Sequence, residues 1–136
     1  MTSLVSLLLL FTALNSPARN REPRFQQLYA YVVVSYTTSD YKTYHFVSQV
    51  FGYCSSIRSD PYRGLERQAK TEAELLEGQG QIPRPARARE MSVSLNGGST
   101  TRESAERSRA WWVKRAVAEY ESGLDAIYYP ASVCSW

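Results

Sequence analysis

A chain of 136 residues, 43% hydrophobic and 21% charged, can bury one core but is too short for two domains of ordinary size, which excludes a large multidomain enzyme. Its formal net charge of +3 excludes the dense charge of a histone-like protein or a disordered basic tail. Ten tyrosines, three tryptophans and four phenylalanines favour an ordered fold that contains a sheet.

Leu4 to Leu14 is an apolar-to-small run, and no charged side chain precedes Arg19. It is too short for the roughly 20 residues of a membrane-spanning helix and matches the core of a signal peptide. Ser16-Pro17-Ala18 supplies the small residues of a cleavage site, although no Lys or Arg precedes the run. The expectation is an exported chain: a leader over 1–18, a polar spacer over 19–27, and a single α+β domain over 28–136. No transmembrane span is expected after cleavage.

Leu28 to Tyr36 concentrates β-branched and aromatic residues and predicts a strand. After a turn at residues 37–41, Lys42 to Tyr53 predicts a second strand, making a hairpin apolar on both sides and therefore covered on both faces. Asp60 and Pro61 signal a helix start, and Tyr62, Leu65, Ala69, Ala73 and Leu76 recur at helical spacing until Gly78. Residues 79–90, with two prolines and three arginines, read as a long mobile loop. Met91 to Leu95 alternates as a short strand, and Asn96-Gly97-Gly98-Ser99 reads as a turn that resembles a phosphate cradle only superficially.

Thr100 and Glu103 have the spacing of a capping box, from which a helix is expected to run to about Ser122. Ala110, Val113, Ala116, Val117, Tyr120 and Leu124 would form its buried stripe. Asp125 to Tyr129 then predicts a last strand. The order implies an α+β fold: a small mixed sheet, built from a β-hairpin and a strand–helix–strand unit, with two helices packed on it. That last unit is a candidate right-handed crossover.

Cys54 and Cys134 form an even pair, most simply one disulfide in an oxidising compartment. The rivals are buried free thiols and a nucleophilic Cys54 activated by His45. Nine residues separate His45 from Cys54, which sets them on opposite faces of a regular strand unless a bulge intervenes at Gly52. His45 is the one histidine, which argues against a site built on several imidazoles, and no metal or cofactor is expected. It is a weak catalytic candidate, more simply a packed side chain, and Tyr44 and Tyr53 beside it are candidate pocket walls.

Charge is uneven. Residues 79–115 hold Arg84, Arg87, Arg89, Arg102, Arg107, Arg109, Lys114 and Arg115 against Glu90, Glu103 and Glu106, and residues 116–136 hold acids alone. Helical spacing puts Trp111 away from the core, among Arg107, Lys114 and Arg115, while Trp112 can pack inward. An exposed Trp ringed by cations can anchor a partner; alternatively, a neighbouring loop covers it and arginines stack on it. The expected binding surface is Trp111, Arg107, Lys114 and Arg115 with Arg84, Arg87 and Arg89. Its partner would be a protein or another anionic molecule, with nucleic acid less favoured because no recognition motif is present. The leading expectation is a non-enzymatic binding module, the alternative a small hydrolase or transferase using His45.

Overall fold

The computed structural model describes residues 25–56 and 61–124. In chain order the elements are β1 (Phe25–Thr38), β2 (Thr43–Ser48), β3 (Phe51–Ser56), α1 (Tyr62–Gly78), β4 (Ala88–Ser99), α2 (Arg102–Val113) and β5 (Ala116–Tyr120). They build an α+β domain with one mixed five-stranded sheet. β1 is its centre, with β4 antiparallel along one edge and β2 then β3 antiparallel along the other, while β5 lies parallel on the outer edge of β2. β4 and β2 both oppose β1, so β4 and β5 run in the same direction and α2 connects them across the sheet.

A helix on each face explains why β1 is apolar on both. Ala30, Val32, Val34 and Tyr36 are buried with Phe46, Phe51 and Leu95 beneath Leu65, Ala69 and Ala73 of α1. The alternate residues Tyr31 and Val33 are buried with Val47, Val50 and Ala105 beneath α2. The stripe expected for the first helix is the buried stripe of α1, with Tyr62 and Leu76 packed at its margins. Asp60 lies outside the described residues; the Pro61 carbonyl accepts from the Leu65 N–H at 2.9 Å and so opens the helix.

The expected second strand, Lys42 to Tyr53, is divided. Val33 pairs with Val47, but Ala30 pairs with Phe51, so one extra residue is accommodated around Gln49 and Val50. The break is a bulge there and not at Gly52. It interrupts the ladder, and the chain replaces the lost partners with side chains. The Val32 N–H donates to Ser48 Oγ at 2.8 Å, the Ser48 carbonyl accepts from Arg109 Nε at 2.6 Å, and the Val50 carbonyl accepts from Arg102 Nη1 at 3.1 Å. Two arginines of α2 thus satisfy carbonyls that the bulge released. Ser48→Ala should lower stability by about 1–2 kcal/mol, because it leaves the buried Val32 N–H without its acceptor; equilibrium urea unfolding measures this.

Further expectations are corrected. The strand predicted over Met91 to Leu95 extends over Ala88–Ser99, and the supposed turn at Asn96 to Ser99 lies inside it. Ala30 pairs with Gly97 and Tyr29 with Ser99, so the glycines form a bulge, with φ of 105° at Gly97 and 68° at Gly98. Glycine favours turns and bulges alike, and a 14-residue central strand offers β4 a partner that short-range patterning does not reveal.

The second helix starts at Arg102 with Thr101 as its cap, whose hydroxyl accepts from the Ser104 N–H at 3.1 Å; the Thr100–Glu103 capping box does not form. It ends at Val113 and not near Ser122. Ala116 to Tyr120 is β5, and the expected stripe is broken: Ala110 is exposed and Val117 is 58% exposed. Alanine and glutamate suit a helix, but the outer edge of β2 needs hydrogen-bond partners that only an extended chain supplies. The Gln49 N–H accordingly donates to the Tyr120 carbonyl at 3.0 Å. Leu124 is fully buried, but in the core under α1. The strand expected over Asp125 to Tyr129 lies outside the described residues.

Candidate binding face

The bulge fixes α2 in rotation. Arg109 turns into the sheet, 8% exposed, to bond Ser48 and pair with Glu119 of β5. Ser108 meets Tyr31 of β1, Oγ to Oη 2.7 Å, and Arg102 lies 5.2 Å from the centre of the Tyr29 ring. With about 100° between successive residues, Ser104, Ser108 and Trp111 fall along the flank of α2 that faces β4. Arg109 marks the opposite flank, toward β5.

Trp111 is 52% exposed. The Arg115 guanidinium lies over its ring at 3.8 Å and donates from Nη1 to the Trp111 carbonyl at 2.8 Å, so Arg115 both stacks on the indole and caps the end of the helix. Trp112 packs edge-to-face on Trp111 at 4.9 Å and turns inward, where it meets His45 edge-to-face at 5.0 Å. Arg107 and Lys114 are exposed. Trp111 and Arg107 on α2, and Lys114 and Arg115 in the turn that ends it, are therefore all exposed on its outer side.

The other cations divide differently from the sequence count. Arg102 and Arg109 serve the bulge, and Arg84 pairs with Glu77 at 3.4 Å while donating to the Ala88 carbonyl at 3.1 Å. Arg87 and Arg89 are exposed near the β1–β2 turn, where the Ser39 N–H donates to the Arg87 carbonyl at 3.1 Å. Within the expected loop Ile82 is fully buried against α1 and the sheet, and residues 88–90 belong to β4.

His45 stands opposite Ser35, whose hydroxyl is 2.7 Å from Nδ1. Burial lowers its pKa below the ordinary 6.5, favouring the neutral ring. Hydroxyl and imidazole have the spacing of a nucleophile and its base, yet among the described residues no carboxylate is hydrogen-bonded to His45 to orient it. Tyr44 and Tyr53, the expected pocket walls, lie on the α1 face, opposite to His45.

The Cys54–His45 dyad is excluded by the register. The bulge does bring both residues to one face, but Cys54 stands opposite Gln27 and His45 opposite Ser35. Eight residues of strand separate those positions, roughly 27 Å. Cys54 itself is buried, and Cys134 lies outside the described residues. Among the described residues no group of three metal-ligating side chains converges, and no helix is long and apolar enough to cross a membrane.

Comparison with known proteins yields no match to a family model, to a curated protein or to a solved structure. The α2 face has to be interpreted from its own chemistry.

Proposed function

We propose that this chain is an exported, non-enzymatic binding module that captures an anionic partner through the outer face of α2. The observation that supports this is the half-exposed Trp111 held against Arg115, with Arg107 and Lys114 beside it. A large ring kept in water lowers solubility without adding to the core, and buried aromatic and arginine anchors dominate binding interfaces. The cations beside it set the sign of the partner. Poly-L-aspartate serves as a generic polyanion: the double charge reversal Arg107→Glu and Arg115→Glu should weaken its binding by about tenfold or more at low salt. Unchanged affinity would overturn the assignment of this face.

In the same reading residues 1–18 are removed on export and Cys54 pairs with Cys134 in the mature chain. Intact mass of the secreted protein is expected to begin at Arg19 and to rise by about 2 Da on reduction. A mass that retains residues 1–18 and does not change on reduction would contradict both steps.

The Ser35–His45 contact favours a second reading, a hydrolase with Ser35 as nucleophile. Stoichiometric labelling of Ser35 by a fluorophosphonate, lost in His45→Ala, would establish it in place of the first; the non-enzymatic reading predicts no labelling.

A further inference from the structure

We propose that the groove between α2 and β4 receives a chain of acidic sugars, a polysaccharide carrying carboxylates; this deepens the binding-module reading and rests on it. The α2 side of β4 presents Ser92, Ser94 and Asn96, which stand opposite Ser35, Val33 and Tyr31 of β1. Ser92 is exposed, and Ser35, Ser94 and Asn96 are half-buried. The facing flank of α2 brings Ser104 and Ser108 and ends in Trp111. The groove is therefore floored by uncharged hydroxyls and an amide and walled at one end by an indole.

That lining is suited to a polyhydroxylated ligand. Hydroxyl and amide groups both donate and accept, as vicinal sugar hydroxyls do, and an indole stacks on the apolar face of a sugar ring. Asn96 is already oriented, its Nδ2 donating to Ser94 Oγ at 3.0 Å and to the Ser94 carbonyl at 3.3 Å. Among the described residues no donor reaches its Oδ1. Arg107 and Arg115 stand at the lip on the Trp111 flank, where they meet carboxylates on the sugar. Glu90, opposite Thr37 beyond Ser35, stands at the same end as Trp111, because α2 runs back along β4 and ends beside His45 and Ser35. An acidic polypeptide would find the same cations but has no ring hydroxyls for the serine and asparagine floor.

Polygalacturonate and poly-L-aspartate, both polyanions, separate the two levels of the claim. The full chain should bind polygalacturonate about tenfold more tightly than poly-L-aspartate, with a saturable change in tryptophan fluorescence. Asn96→Ala, at a half-buried site on an edge strand, and Trp111→Ala should each reduce polygalacturonate affinity toward the poly-L-aspartate level. Equal affinity for the two polymers, or no effect of Asn96→Ala in a variant whose circular dichroism matches the parent, overturns the sugar groove and leaves the anionic face standing. Binding of neither polymer overturns both.

Discussion

Arg109→Met should lower the free energy of unfolding by about 2–3 kcal/mol. Methionine fills much of the arginine's volume, so the loss reports polar contacts more than packing. The larger part comes from the Ser48 carbonyl, which the bulge has removed from the ladder and which accepts from Arg109 Nε at 2.6 Å. The ion pair with Glu119 adds less, because that carboxylate is 43% exposed and screened by water.

A pH signature accompanies the change. Hydrogen bonding and charge from Arg109 hold the Glu119 pKa below the ordinary 4.5. A carboxylate with a depressed folded pKa contributes stability above its unfolded value and loses it as pH falls through the folded one. In Arg109→Met the acid side of the stability curve should therefore be shallower than in the parent. Urea unfolding at neutral pH and below pH 4 measures both effects; parental stability at neutral pH would show that α2 does not hold the bulge.

Gly97→Ala should cost about 2–4 kcal/mol. Its φ of 105° is one that L side chains rarely adopt. An added Cβ would also lie 2.9 Å from the Tyr29 carbonyl oxygen and 3.0 Å from Ala30 Cα. Both are backbone atoms of the central strand, so relief requires moving β1 itself. Gly98 is an internal control: its φ of 68° lies in the left-handed region, and an added Cβ meets only the Tyr53 hydroxyl, at 3.5 Å. Gly98→Ala should cost about 1 kcal/mol. Equal losses at the two positions in thermal or urea unfolding would contradict the bulge geometry.

Local chemistry made some of the architecture legible in the sequence. Tyr62, Leu65, Ala69, Ala73 and Leu76 repeat over a full helix with a proline before them and Gly78 at the end, so propensity, period and boundary agree. The apolar character of β1 on both faces likewise revealed a strand covered on both sides. What failed depended on partners distant in the chain. Ala116 to Tyr120 has the composition of a helix and becomes a strand because the edge of β2 needs it. The glycine pair looked like a turn because bulge and turn demand the same φ.

The candidate site divides along the same line. The outward side of Trp111 and its cationic neighbours followed from helical spacing alone, even though the helix is shorter than expected. The partners that Arg102, Arg109 and Arg84 find within the chain did not, since they depend on which carbonyls the bulge releases and where Glu77 falls. The serine and asparagine floor was also hidden: Ser92, Ser94 and Asn96 have only an alternating pattern until β1 is paired beside them.

Titration of Trp111→Ala with poly-L-aspartate, with the melting temperature recorded on the same samples, tests the central claim most directly. An exposed indole on the outer face of α2 predicts melting within a few degrees of the parent, together with a loss of affinity of about tenfold. Parental affinity at parental stability would contradict it and remove α2 as the binding face.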